Sequence, residues 1–333
     1  MSSFNSPNFN GKIFLNTIPT VVTKQGAFLK ILRENFFDKN KHLREPKTPL
    51  GPFRSNLELL NDLPPETLRV TWLGHSTVLF EIDGKRFLTD PVWASRVSPF
   101  SFIGPKRFFD TPIGLDELPP LDGVIISHNH YDHLDAETVK YLGTKSIRFF
   151  CPLGVGAWLN RYGVQQVNIT EFDWWDEIEF EGFTIAATPA RHFSGRWLND
   201  RFKTLWASWA IIGPKHRVFF GADSGMFPAF KDIGDKYGPF DLTALEIGAA
   251  NDDWEDIHMG PLKAIQAQLM LNSSLMLPIH WATFNLATHP WEEPIESLIP
   301  DAMEKGINLL IPEPGETVEV KAAYNSWWWK RYK

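Results

Sequence analysis

Residues 128–133 read His-Asn-His-Tyr-Asp-His, directly after the apolar run Val124-Ile125-Ile126 and its closing Ser127. No other stretch constrains the chain as much, because four metal-ligand side chains are crowded into one turn at the end of a buried strand. Imidazoles and a carboxylate suit zinc and similar divalent ions. His128, His130, Asp132 and His133 are too many for one four-coordinate ion that keeps a position open for chemistry, so two ions are implied. A polar loop with surface histidines is the bland alternative. Three of the chain's ten histidines within six residues weigh against it.

The missing ligands must come from other loops, since groups converging on one pocket are carried there by a rigid scaffold. Three places qualify. His192 follows the run Thr184-Ile185-Ala186-Ala187-Thr188, Asp223 follows Val218-Phe219-Phe220-Gly221-Ala222, and His280 follows Leu275-Met276-Leu277-Pro278-Ile279. Each run reads as a short strand. Asp223, with two oxygens, is the natural carboxylate to bridge two ions.

The order His-x-His-x-Asp-His, then His, then Asp within Gly-Ala-Asp-Ser-Gly, then His resembles the metallo-β-lactamase superfamily. Further segments are similar to its N-acyl-phosphatidylethanolamine-hydrolysing phospholipase D branch: Trp72-Leu73-Gly74-His75-Ser76-Thr77, Leu88-Thr89-Asp90-Pro91, Gly104-Pro105-Lys106-Arg107-Phe108 and Phe240-Asp241-Leu242. The resemblance implies an α/β (α+β) fold, a four-layer αββα sandwich with two facing sheets, helices outside and metals along one sheet edge. It also implies a division of ligands. His128, His130, His192 and Asp223 would hold one ion; Asp132, His133, His280 and the same Asp223 would hold the other. Zinc is the first expectation for both, with manganese or iron as alternatives. Asp90 and His75 would orient ligating histidines from behind, although an ordinary Asp-Pro turn and a structural histidine are the competing readings.

Two divalent ions can supply a water-derived nucleophile at neutral pH, which makes hydrolysis the expected outcome. The resemblance implies a phosphodiesterase of the phospholipase D type, acting on an N-acyl-phosphatidylethanolamine-like phospholipid. Asp132 and His258 are the expected catalytic groups. His258 lies in a His-x-x-Pro-x-x-Ala segment ending at Ala264, similar to the family segment whose histidine faces the substrate. Tyr131, Arg191 and Arg196 are candidates to meet the substrate phosphate. A lactonase or thioester hydrolase on the same dimetal site is one alternative, and a nuclease or nucleotide phosphodiesterase another. The net charge of -7 argues against nucleic acid as a partner. A β-lactamase is disfavoured, because the clinical dizinc enzymes use a cysteine where this chain has Asp223. Ala136 and Ala282 depart from the branch, which has an aromatic residue and a glycine there.

With 333 residues, 43% of them hydrophobic, the chain can bury an extensive core. It divides into an N-terminal extension, residues 1–65, expected to pack on a hydrolase domain spanning 66–333. No run approaches the roughly 18 apolar residues of a spanning helix. The opening Met1-Ser2-Ser3-Phe4-Asn5 has no secretory pattern, so a cytoplasmic location is expected, with peripheral contact at the inner face of the membrane. Two segments suggest such contact. Phe28, Leu29, Ile31, Leu32, Phe36 and Phe37, near Lys24, Lys30 and Arg33, form a patch that packs on the domain, faces a membrane or builds a homodimer. The tail Trp327-Trp328-Trp329-Lys330-Arg331-Tyr332-Lys333 has the aromatic and basic residues of a bilayer interface, or of an end that packs.

Overall fold

The computed structural model describes residues 4–27, 30, 33, 34, 39–197 and 199–332. Phe28, Leu29, Ile31, Leu32, Phe36 and Phe37 therefore lie outside the described residues.

Two hairpins with the same turn chemistry open the two halves of the molecule. In the first, β1 (Leu68–Gly74), β2 (Thr77–Ile82) and β3 (Lys85–Thr89) pair antiparallel, and Asp83 and Gly84 turn the chain at φ 48° and 81°. Two successive left-handed residues give the tight turn whose twist matches paired strands. The parallel strands β4 (Gly123–Ile125), β5 (Arg148–Pro152) and β6 (Ile169–Phe172) follow. Then β7 (Glu177–Phe180) and β8 (Phe183–Thr188) repeat the device with Glu181 at 49° and Gly182 at 87°. The strands β9 (Ser208–Ile212), β10 (Arg217–Phe220), β11 (Leu242–Glu246) and β12 (Met276–Ile279) complete the second half, and β13 (Leu310–Ile311), β14 (Thr317–Glu319) and β15 (Tyr324–Asn325) end the chain. One sheet has the order β14-β1-β2-β3-β4-β5-β6, the other β12-β11-β10-β9-β8-β7.

Side-chain alternation shows how the layers stack. Val78, Phe80 and Ile82 of β2 join Trp209, Ile211 and Phe219 of the second sheet in one buried cluster, the filling between the sheets. Leu79, between them in sequence, points the other way. It joins Leu88, Val124 and Phe149 under two helices, α2 (Ala136–Gly143) and α3 (Gly156–Arg161), which follow the short α1 (Leu57–Asn61). On the far side lie α4 (Ala229–Tyr237), α5 (Gly260–Met270) and α6 (Glu293–Glu304); α5 packs on β11 and α6 on α5. The layers run helix, sheet, sheet, helix, as expected. Proline 261 opens α5 near its first turn, where a missing N–H costs nothing.

The ends of the chain are tied into this body. Phe4, Phe9 and Phe14 cluster with ring centroids 5.0–5.2 Å apart, and the Phe14 N–H donates to the Phe202 carbonyl at 2.9 Å. At the other end Trp328 and Trp329 are buried. The Trp328 ring lies 5.4 Å from both Trp281 and Phe53, and Trp329 Nε1 donates to Glu296 Oε1 at 2.6 Å. Indoles held this way cannot enter a bilayer, so the interfacial reading of the tail is corrected: it is a packing element. Only Trp327, 42% exposed, faces outward, with Lys330 Nζ 4.1 Å from its ring centre. Among the described residues, no helix is long and apolar enough to cross a membrane.

Candidate metal centre

The hexapeptide hangs between two anchors. Before it, Ser127 donates its N–H to Asp90 Oδ1 at 2.7 Å and its hydroxyl to Asp90 Oδ2 at 2.5 Å. After it, Asp135 caps α2 by accepting the Glu137 N–H at 3.2 Å. Asp90 also orients the rings. His133 Nδ1 lies 2.7 Å from Asp90 Oδ2, and His128 Nδ1 lies 2.8 Å from Ser127 Oγ. Each of these two Nδ1 atoms therefore carries the proton it donates, leaving the Nε2 lone pair turned inward. His192, after β8, is set the same way by the Ile257 carbonyl, 3.0 Å from its Nδ1.

The structure brings all seven expected ligands together. His128, His130 and His192 form one set, with His128 Nε2 2.8 Å and His192 Nε2 3.4 Å from His130 Nδ1. His75, Asp132, His133 and His280 form another, with Asp132 Oδ2 3.1 Å from His75 Nε2, 3.5 Å from His133 Nε2 and 3.7 Å from His280 Nε2. Asp223 stands between the sets. Its Oδ2 lies 3.7 Å from His192 Nε2 and 3.2 Å from His133 Nε2, and its Oδ1 lies 3.2 Å from His280 Nε2. Buried polar atoms are almost always hydrogen bonded. Yet His133 Nε2, His280 Nε2 and Asp223 Oδ1 are buried without a hydrogen-bond partner, all aimed at one another. Divalent cations answer that arrangement, so the residues fit a metal centre.

Electrostatics divide the cluster. Burial lowers the His75 pKa to about 3 and that of His130 to about 4. At His133 and His280 burial is outweighed by Asp223 and Asp132, which raise His133 well above the ordinary histidine value and His280 to about 10, an attraction for positive charge that divalent cations would satisfy with the imidazoles neutral. Burial alone would raise the Asp223 pKa, but His133 and His280 hold it well below the usual carboxylate range. His75, Asp90, Ala222 and His280 all adopt left-handed backbone, at φ 54°, 34°, 48° and 63°. Non-glycine residues hold such conformations only where the surroundings impose them, and functional sites are where they gather.

His258 faces the same cavity, about 220 Å³, which His130, Asp132, His192, Asp223 and His280 also line. Its Nδ1 lies 2.6 Å from Glu246 Oε2, so Nε2 is the free ring nitrogen. Glu246 is fully buried at the end of β11, and its Oε1 accepts N–H groups from Ser224 at 2.9 Å and Met259 at 3.2 Å. Sequence reasoning missed this residue, although an acid inside the apolar run Leu242–Ile247 was a usable signal. It also missed Asn16, Val22 and Thr23. Val22 and Thr23 line the cavity, while Asn16 clamps the His192 backbone, donating to its carbonyl at 2.8 Å and accepting its N–H at 3.1 Å. Nothing in the sequence marks them, because only folding brings residue 16 to residue 192.

The two arginines expected at phosphate are placed otherwise. The Arg191 guanidinium is taken up by the Pro19 carbonyl at 2.9 Å, Thr20 Oγ1 at 3.1 Å and Asp256 at 2.8 Å, which pin the N-terminal segment. Arg196 donates to the Asn129 and Leu134 carbonyls at 2.9 and 2.7 Å and stacks 3.9 Å from the Tyr131 ring centre. It braces the ligand loop, and Tyr131 serves as its platform.

A family model described as the beta-lactamase superfamily domain matches residues 85–281. An uncharacterized protein of Mycobacterium tuberculosis is 44% identical over 330 residues, covering 97% of this chain and 87% of that one. The N-acyl-phosphatidylethanolamine-hydrolyzing phospholipase D 1 of Caenorhabditis elegans is 37% identical over 308 residues, covering 86% of this chain and 85% of its own length. Among solved structures, isothiocyanate hydrolase from Delia radicum gut bacteria superposes with a TM-score of 0.61 over 75% of this chain and 98% of that one, at 22% identity, a likeness of fold.

Proposed function

This chain belongs to the beta-lactamase superfamily, in the branch of the N-acyl-phosphatidylethanolamine-hydrolysing phospholipases D, and we propose that it cleaves phosphodiester bonds of such lipids. The observation that carries the reading is the shared carboxylate: two ligand sets meet at Asp223, and His258 presents Nε2 to the same cavity. His128, His130, His192 and Asp223 would hold one divalent ion, and Asp132, His133, His280 and Asp223 the other, with zinc the first choice. When bound, such ions supply an activated water at neutral pH and draw charge from the attacked group.

The chain's own residues do the rest. His258 Nε2 holds the proton that the departing oxygen needs, and the Glu246 carboxylate at Nδ1 stabilises the ring while it is charged. His75 Nε2 holds Asp132 Oδ2 in place, and that same oxygen lies beside His133 and His280. Phosphorus rather than carbonyl carbon is favoured by the phospholipase D relative. The test is metal analysis of the purified protein together with hydrolysis of bis-(p-nitrophenyl) phosphate, N-acyl-phosphatidylethanolamine in micelles and a lactone panel. Turnover of both phosphodiesters is expected. Lactone turnover without phosphodiester turnover would replace the reading with a carbonyl hydrolase on the same centre.

A further inference from the structure

The loop between β3 and β4 carries an apolar tip that neither the core nor the metal centre uses. Phe100, Phe102 and Ile103 are 49%, 79% and 57% exposed, three large apolar side chains within four residues. Their exposure is built. Ser98 Oγ lies between the Phe100 carbonyl, at 2.7 Å, and the Ile103 carbonyl, which share its one proton; the Arg96 and Lys106 backbones pair as an isolated β-bridge across the base, and the Val97 N–H meets the Pro105 carbonyl at 3.1 Å. Gly104 closes the turn at φ 96°, where a Cβ would come within 2.5 Å of the Ser98 Cβ. The Phe100 and Phe102 ring centroids are 5.7 Å apart, so the tip presents one aromatic surface.

Two further observations give the tip a setting. Below it, Val97 packs with Val92 and Phe284, against which Leu286 lies, and Leu286 lines the cavity of the metal centre. The tip therefore stands near the mouth. Beside its base, Lys47, Arg54 and Lys106 line a separate cleft of about 520 Å³. All three are exposed, and among the described residues none has a carboxylate partner. The acids of that cleft are Glu45, which accepts a bond from Asn285 at 2.9 Å, and Asp110. Three exposed cations against two acids make this rim locally cationic on a chain of net charge -7, which suits an anionic partner.

We propose that the tip Phe100, Phe102 and Ile103, with Lys47, Arg54 and Lys106 beside it, docks the protein on an anionic lipid bilayer with the mouth of the metal centre facing the surface. The purpose rests on the proposed lipid substrate; the test does not. Three side chains are too little area for a stable contact with a second copy. They suffice for reversible interfacial insertion when flanking cations add attraction to anionic headgroups. The surface replaces the tail, whose inner tryptophans are buried.

Sedimentation with phosphatidylcholine vesicles, with and without phosphatidylglycerol, tests it on the full chain. The intact protein is expected to pellet with the anionic vesicles. Phe100→Ser, Phe102→Ser and Ile103→Ser together should lower the partition coefficient at least ~10-fold. Lys47→Glu, Arg54→Glu and Lys106→Glu should lower it roughly five-fold per charge, on anionic vesicles alone. Trp327→Ser with Lys330→Ser should change nothing. No pelleting of the intact chain, equal pelleting of the serine variant, or loss only in the Trp327 variant would overturn the proposal. So would sedimentation equilibrium showing a dimer that the serine variant dissolves. Turnover of soluble bis-(p-nitrophenyl) phosphate should be unchanged in the serine variant. Its absence in every form would count against the proposed chemistry and leave the docking result standing.

Discussion

The two ends of the sandwich are made from the same strands and solve opposite problems. At the end away from the metal centre, the Asp83 turn of the first sheet meets the loop before β10. Asp83 Oδ1 lies 2.6 Å from His216 Nδ1, and Oδ2 accepts the Lys215 and His216 N–H groups at 2.8 and 3.0 Å. Both oxygens of this carboxylate are satisfied from within the chain. At the other end, buried ring nitrogens and a carboxylate oxygen point at one another without hydrogen-bond partners, and left-handed residues hold them so. One end closes the fold; the other keeps binding capacity that the fold itself does not use. A charged group in a protein is thus no sign of function until its partners are counted.

That contrast can be broken by substitution. Asp223→Asn should act hardest, because an amide cannot offer two anionic oxygens. Metal content should fall, and hydrolysis should drop by more than the ~10²–10⁴-fold that a lost acid–base group costs. Retention of both metals, measured by elemental analysis, with near-normal turnover would remove Asp223 as the bridge. His258→Ala should keep the metals and lose ~10²–10⁴-fold in turnover. In that background Glu246→Gln should cost nothing further, since Glu246 acts through His258; additive losses would show otherwise. Asp90→Asn should weaken metal affinity by ~10–100-fold, the usual effect of disturbing a histidine's supporting carboxylate.

At the closed end the expected effects are on stability alone. Asp83→Asn should leave metal content unchanged and cost roughly 1.5–3 kcal/mol, as for hydrogen bonds to a charged group, read from denaturant midpoints. Burial would raise the Asp83 pKa, but the bonds from His216 and the Lys215 and His216 amides outweigh it and lower it. The sign follows: this stability is complete above the ordinary carboxylate pKa and fades as pH falls through the lowered folded value. The variant should therefore lose part of the acid sensitivity. The smallest effect is expected at Ala282, held at φ 51°; Ala282→Gly should be neutral or stabilise by up to ~1 kcal/mol, because glycine adopts that conformation without strain.

How much of this was readable in the sequence depended on whether a signal was local. The hexapeptide and both hairpin turns were legible because spacing and turn chemistry lie within a few residues. His192, Asp223 and His280 were legible one strand at a time, from apolar runs that each end in a ligand type. Glu246 was overlooked although its apolar run marks it as a buried acid, because that run does not name its partner, His258, twelve residues on. Arg191 and Arg196 misled for the converse reason. Charge near a ligand suggested phosphate, whereas packing had already given both guanidinia to carbonyls and a carboxylate. Burial of Trp328 and Trp329 could not be read from an aromatic and basic tail, since composition does not say which side of a ring is covered.

The His280 N–H donates to the His75 carbonyl at 3.0 Å, and Asn16 grips the backbone of His192. A chain emerging from the ribosome completes its first sheet only when β14, residues 317–319, pairs with the opposite edge of β1. The centre is thus assembled from contacts of very long sequence separation, the kind that form late and slowly. Metal capture with full coordination must wait until His280 has joined the other ligands, so a fully held ion is a report that β12 has closed on the rest of the fold.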